Sequence, residues 1–423
     1  MSFFHLEENQ TSVKQEIIAG FTAFLTVAYI LVVNPTILSD AGIPYSYALL
    51  ATVAVTAFGC LALGVWGNTP LILTPGMGIN AFFAYTMVEG FGLTWQEGLA
   101  VVIVAGILFF IMAITPMAAK LAQAVPESLK IGITAGVGIF LTFIGLQMGE
   151  VVVPHPDTFV ALGSLSNPVA ITTLVGLVIM MMLFVRAVKG TFLIGMLITA
   201  GLAFLIIPGA DESRQNISFE GYSSILTSAE FSGVWQVPFW TALFSLTMLI
   251  VFETLGLLHG LLPENKSSTR AYQASSTTAL MSGVFGTSPT IPVVEGAAGT
   301  AAGGRTGLTA VTVAVLFLLS LLFAPFLGMI PNAAIAPILI IVGGLMAQQV
   351  VRIPRDDPTE WFPAYFIVGL IPLTSSIADG IAFGFIMYPL LKMLVGQYRM
   401  VSAWMYVIAL LFVMNYVLLY TTV

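Results

Sequence analysis

Charge is what this sequence has least of. Only 8% of its 423 residues are Asp, Glu, Lys or Arg, against about 25% in an ordinary soluble domain. With 58% hydrophobic residues and a mean hydropathy of +1.01, the chain has far more apolar surface than a soluble core could bury. It has one cysteine, Cys60, so no internal disulfide can form, and the apolar stretch around it makes it a packing residue. His5 and His155 fall in loops, and His259 reads as an interfacial histidine near a helix end. There is no HExxH, CxxC, Walker loop, GxSxG or dinucleotide GxGxxG after a strand, so metal, nucleotide and acyl-transfer enzymes lose their support. No basic run suggests nucleic acid, and the formal charge of −7 is small for this length. The polar start, MSFFHLEENQTSVKQEI, lacks the basic region, short apolar stretch and cleavage site of a secretory signal, so the apolar run from Ile17 is expected to stay in the mature protein.

What remains is lipid-compatible sequence. A spanning helix takes about 20 mostly apolar residues, and such windows recur along nearly the whole chain. The runs fall near 16 to 34, 47 to 66, 75 to 88, 97 to 117, 127 to 148, 167 to 185, 189 to 208, 236 to 260, 272 to 285, 291 to 301, 305 to 329, 332 to 350, 359 to 377 and 379 to 396. The expectation is an all-α polytopic membrane protein of fourteen spans. A further run, Ala403 to Tyr420, either crosses or lies along the surface. Cytoplasmic loops retain positive charge. With the N-terminus inside, Lys14, Lys120, Lys130, Arg186, Lys189, Lys266, Arg270, Arg305, Arg352, Arg355, Lys392 and Arg399 all fall in or beside cytoplasmic segments. Only Arg214 falls outside, in a loop at about 209 to 235 with Asp211, Glu212, Glu220 and Glu230. One missed span would spoil that partition.

The two halves echo each other. VPESLKIGITAGVGIF from Val125 and IPNAAIAPILIIVGGLM from Ile330 share the spacing Pro126 to Gly138 and Pro331 to Gly343. A looser echo sets Lys189-Gly190 with Gly195 against Asp379-Gly380 with Gly384. Seven spans per half, an odd number, bring the second copy in from the opposite side, a 7+7 inverted repeat of the kind secondary transporters use. Generic Gly/Pro punctuation is the alternative.

Two windows look wrong for plain membrane helices. They are Thr74-Pro75-Gly76-Met77-Gly78-Ile79-Asn80-Ala81 in span three, and Gly286 to Gly296, GTSPTIPVVEG, in span ten. Irregular backbone at membrane depth is tolerated only where it is buried in protein or lines a cavity, and broken helices then offer free N–H groups to a ligand. Kinks that merely shape packing are the competing reading, but Asn80 and Glu295 sit right at the breaks. A carboxylate inside a membrane is costly unless paired, hydrated or protonated. Glu253, within LTMLIVFETLGLLHG, and Glu295 are therefore the leading site candidates. Asp379 opens its helix after Ser375-Ser376 and reads equally as a helix-end residue. The run Ala302 to Gly307, AGGRTG, lacks a lysine and reads as a tight turn.

At these same windows the sequence resembles the nucleobase/ascorbate transporter superfamily, in its purine (hypoxanthine/guanine/adenine) permease branch. The resemblance is carried by GFTAFLTVAYILVVNPTIL from Gly20, TPGMGINAFFAYT from Thr74, SLKIGITAGVGIFLTFIGLQ from Ser128, VFETLGLLHG from Val251, GTSPTIPVVEGAAGTAAGGRTGLTAV from Gly286 and PLTSSIADGIAFGFI from Pro372. It implies a core domain (1–118 and 236–329, spans one to four and eight to eleven) and a gate domain (119–235 and 330–396), with 397–423 an apolar tail. It further implies a homodimer in the cytoplasmic membrane that imports purines with protons by an elevator-like motion, without a cofactor. The family's binding positions fall on Glu253, Glu295, Gly78 and Asn80. Phe-Glu-Thr stands where many members have Phe-Asp-Thr, and SPTIPVVEG where many have a threonine-rich stretch ending in YIES; both departures put adenine transport in doubt more than purine transport.

The chemistry agrees. A carboxylate at Glu295 accepts guanine's adjacent N1–H and amino donors in bidentate fashion. Asn80 can read N7 or O6, and Gly78 lets backbone approach the base. Ile79, Val294 and Gly296 flank these groups, Phe82 and Phe83 are candidates for stacking or plain packing, and Glu253 is the proton-coupling candidate. An anion carrier of the same architecture would want a basic midplane; a membrane enzyme would need a nucleophile or metal triad, and a channel a repeated polar stripe. None of these is present.

Overall fold

The computed structural model describes residues 2–115, 117, 120, 124–208, 220–262 and 268–421. Lys266 and the loop charges Asp211, Glu212 and Arg214 lie outside the described residues, as does the side chain of His259. The apolar runs fold as helices: α1 (Val13–Val27), α2 (Ile30–Asp40), α3 (Tyr45–Ala62), α4 (Met77–Ala81), α5 (Trp95–Ile114), α6 (Glu127–Met148), α7 (Pro168–Val185) and α8 (Thr191–Ile206) in the first half. The second half adds α9 (Val237–Leu261), α10 (Ser268–Phe285), α11 (Ala297–Ala301), α12 (Gly307–Ser320), α13 (Asn332–Ala347), α14 (Pro358–Thr374), α15 (Ile377–Leu394) and α16 (Ala403–Thr421). Among the described residues nine helical segments are long and apolar enough to cross a membrane.

Local chemistry sets many of the helix ends. Ser12, Thr94, Asn167, Asp357 and Ser376 each accept a backbone N–H of the first turn that follows them, and Thr94 forms a reciprocal capping box with Glu97. Pro168 and Pro358 occupy the first position of α7 and α14, where a missing N–H costs nothing.

Both irregular windows are broken. Leu73–Pro75 forms strand β1 and Thr290–Pro292 forms strand β4, and the two pair antiparallel with Thr74 opposite Ile291. A separate hairpin, β2 (Val152–His155) with β3 (Phe159–Leu162), lies between α6 and α7. Buried backbone must find hydrogen-bond partners, and each break supplies the other's. α4 continues as a π-helical segment, Phe82–Gly90, while β4 leads through the turn Val294–Gly296 into α11. The sequence reading anticipated two interruptions. A third lies in the first span, where Ala28 and Tyr29 separate α1 from α2 and Leu31 N–H reaches back only to the Ala28 carbonyl.

The helices pack in two groups. α1, α3, α5, α9, α10, α11 and α12 gather around the paired strands, and α6, α7, α8, α13, α14 and α15 pack on one another. α4 meets α6 across the divide, where a Cβ added to Gly78 would come within 2.5 Å of Val137. α16 stands upright against α15 and α9. Ser402 bonds the Ala124 carbonyl at one end, Phe412 packs edge-on to Phe385 and Phe244 midway, and Tyr416 bonds Asp379 at the other. The ascending residue numbers on α15 meet descending ones on α16, so the two run antiparallel. At about 1.5 Å per residue, α16 matches α15 in reach, so the last apolar run lies along a spanning helix and not flat on a surface.

Candidate functional site

The paired breaks bring most of the singled-out residues together. Asn80 lies on α4, fully buried, and accepts a hydrogen bond from the Ser288 hydroxyl, so the polar residue of the first break is tied to the second. Around them Asn34 donates to Thr52 at 2.6 Å and to Thr287 at 3.2 Å. Among the described residues the hydroxyls of Thr74 and Thr290, one on each strand, are buried without a hydrogen-bond partner, as is that of Thr254, next to Glu253 in sequence. A buried hydroxyl without a partner costs about 1–3 kcal/mol, so this is polar capacity that the protein alone does not use.

Glu295 sits in the short turn after β4. Its Oε1 accepts from the Tyr29 hydroxyl at 2.8 Å, and its backbone carbonyl accepts from Thr26 at 3.3 Å. Glu253 lies on α9, which packs against β4 and α4. Neither carboxylate has an ion-pair partner among the described residues. Val294, next to Glu295, is 59% exposed. On α9 the positions of Glu253, Gly256 and Gly260 share one helix face, and a Cβ added to either glycine would meet nothing within 4 Å. Among the described residues, that face is open at both glycines.

Other expectations resolve differently. Ile79, Phe82 and Phe83 are fully buried, and Phe83 lies against Gly98 of α5, where a Cβ would meet its ring at 3.0 Å; Phe83 is a packing residue. Gly296 is buried against Ile72. Asp379 does not cap its helix: Ser376 does, by accepting the Asp379 N–H, and the Asp379 carboxylate takes the Tyr416 hydroxyl at 3.0 Å. The 302–307 run is a tight turn, with Gly303 at φ +94. Its Arg305 and Thr306 N–H groups donate to Glu16 at 2.9 and 3.2 Å. Glu16 is fully buried, a carboxylate that sequence reasoning passed over because it sits in the polar entrance to the first span. Cys60 is buried and donates weakly to the Leu73 carbonyl.

A permease family model matches residues 14–383 of this sequence. The chain belongs to that family, the nucleobase/ascorbate transporters. It is similar over most of its length to a nucleobase transporter of Paenibacillus larvae (41% identical, 89% of this chain and 77% of the relative). It is 40% identical to a guanine/hypoxanthine permease of Bacillus subtilis (97% and 98% covered) and 34% identical to an adenine permease of Escherichia coli (98% and 95%). The fold is shared with the transmembrane domain of a cyanobacterial bicarbonate transporter (TM-score 0.69, 18% identity, 86% of this chain and 96% of that one). It is also shared with a murine Solute Carrier 26 anion transporter (TM-score 0.67, 12% identity, 90% and 68%). Permeases translocate their substrates unchanged, so the chain is a multi-pass membrane transporter and not an enzyme. Fold alone does not choose its cargo.

Proposed function

We propose that this permease imports purine nucleobases, guanine and hypoxanthine foremost, by proton symport. The observation that carries the reading is that two carboxylates meet at the breaks, Glu295 on the turn after β4 and Glu253 on α9, which packs against β4, without an ion-pair partner among the described residues. An anionic cargo of the kind named for the structural neighbours would be repelled there. A neutral base rich in N–H donors is attracted: guanine offers N1–H and an amino group to Glu295, hypoxanthine offers N1–H alone, and adenine turns an acceptor toward it. Asn80 reads the opposite edge, with Gly78 and Ile79 behind it and Val294 and Gly296 beside Glu295. Asn80 and Phe82 are both fully buried, so the amide contact and any stacking on a base require the site to open. Glu253 carries the coupling proton.

Fourteen spans in a 7+7 inverted repeat remain part of the reading. Support comes from the antiparallel pairing of the two breaks and from the echoing glycines: Gly195 of α8 lies against Met180 of α7, as Gly384 of α15 lies against Ile367 of α14. The two packed groups correspond to a core that carries the site and a gate against which it slides. The N-terminus lies on the cytoplasmic side of the cytoplasmic membrane, where lysine and arginine gather, and a homodimer is expected from the family. Relatives named as adenine permeases favour adenine as the second reading. Competition of labelled guanine uptake by unlabelled guanine, hypoxanthine, adenine, xanthine and bicarbonate decides among them. Guanine and hypoxanthine should compete best, and displacement by adenine alone would overturn the ranking.

A further inference from the structure

At Ala28–Tyr29 the first span loosens to a turn whose backbone stays right-handed helical, and Tyr29 carries its side chain to the site. The Tyr29 ring is fully buried and held edge-on by Phe192 of α8, with centroids 5.3 Å apart. Its hydroxyl reaches Glu295 Oε1 at 2.8 Å. One helical turn earlier, Thr26 holds the backbone carbonyl of the same residue. Positions 26 and 29 share a helix face, so one segment fixes both the main chain and the carboxylate of Glu295.

We propose that Tyr29 is the positioning residue that turns the Glu295 carboxylate edge-on to the substrate and thereby sets the preference for guanine over hypoxanthine. This rests on the purine reading of the site. A carboxylate on a turn of only a few residues rotates freely about its last bond unless something fixes its plane. The Tyr29 phenol donates one hydrogen bond to Oε1. Each carboxylate oxygen has two acceptor positions. The Tyr29 bond takes one of the two on Oε1, which leaves the carboxylate able to accept a pair of substrate donors. Guanine, with two donors, needs both oxygens coplanar with its ring; hypoxanthine, with one, tolerates a rotated carboxylate.

The test is Tyr29→Phe, which keeps the ring and its contact with Phe192 and removes only the hydroxyl. Purified protein in proteoliposomes should show a half-saturation concentration for guanine raised roughly tenfold or more, as expected for loss of a hydrogen bond to a charged group, with maximal rate within about twofold. Hypoxanthine should lose less, so the affinity ratio of the two bases moves toward one. In a Glu295→Gln background the same substitution should have little further effect, because the partners act as a unit. An unchanged ratio, an equal loss in the Glu295→Gln background, or a Tyr29→Phe protein that fails to fold would each overturn the proposal, since all three describe a merely structural hydroxyl. The wild-type arm separates the two levels: no purine uptake there sinks the purine reading, while normal wild-type uptake with an indifferent Tyr29→Phe sinks only the positioning role.

Discussion

Gly138 of α6 and Gly343 of α13 stand face to face, each so near the other's carbonyl oxygen that an added Cβ would fall 2.3–2.5 Å from it. They are the residues that close the sequence echo between the two halves, and they let the two backbones touch. Small residues at helix crossings are how membrane helices pack closely. Gly343→Leu should destabilise the protein by about 1–3 kcal/mol or more through overpacking, read as a lower melting temperature in detergent. Gly344→Ala, where an added Cβ meets nothing within 4 Å, should be neutral. Equal melting temperatures for the two variants would contradict the crossing.

Glu253 and Glu295 divide their work in the proposed mechanism. Glu253→Gln should abolish proton-driven accumulation of guanine, whereas Glu295→Gln should chiefly weaken binding, by far more than Glu253→Asp does. The measurements are accumulation ratio and guanine affinity for each variant. Wild-type accumulation by Glu253→Gln, or unchanged guanine affinity in Glu295→Gln, would refute the corresponding assignment.

At the lysine- and arginine-rich end, Lys392, only 2% exposed, pairs with Asp357 at 3.2 Å and Glu360 at 2.9 Å, and Tyr388 and Ser128 also donate to Glu360. The Thr359 hydroxyl holds the Asp357 carboxyl below its ordinary 3.8, helped by the Thr359 N–H and Lys392 and opposed by slight burial. A depressed carboxyl contributes stability that is present above its unfolded value and lost as pH falls through the folded one. The contribution is therefore intact at pH 5 and disappears below about 3.8. Because Asp357 is largely open to water, its size is at most about 1 kcal/mol. Asp357→Asn should melt slightly lower at pH 7 and lose less between pH 5 and pH 3 than wild type. Parallel melting curves across that range would count against the pairing.

Phe412 is 1% exposed and wedged between Phe244 of α9 and Phe385 of α15. Phe412→Ala should cost about 3 kcal/mol, and removal of α16 should cost more. A shift in melting temperature tests it, and an unshifted midpoint would mean that α16 is not docked.

Much of this architecture was legible in the sequence. Long apolar runs bounded by proline and glycine placed α6 at its observed ends, Glu127 and Met148, because twenty apolar residues in lipid have no rival to a helix. Both breaks were visible as proline, glycine and a polar residue, Asn80 in one and Glu295 in the other, inside an apolar span. Their mutual pairing was not, since three-residue strands carry no period to recognise. Tyr29 was hidden for a related reason: an aromatic in an apolar helix reads as packing until the fold brings its hydroxyl to Glu295, 266 positions away. Ser288 and Asn80 were each in view, but their contact joins residues 208 positions apart.

The central claim is that a purine crosses the membrane at the paired breaks and a proton crosses with it. Purified protein in proteoliposomes, loaded with an outside-acid gradient and given labelled guanine, tests it most directly. Uptake above the equilibrium level that collapses with a protonophore, and is missing in Glu253→Gln, is the predicted result. Guanine that never exceeds equilibrium, or accumulates equally without the gradient, would contradict it.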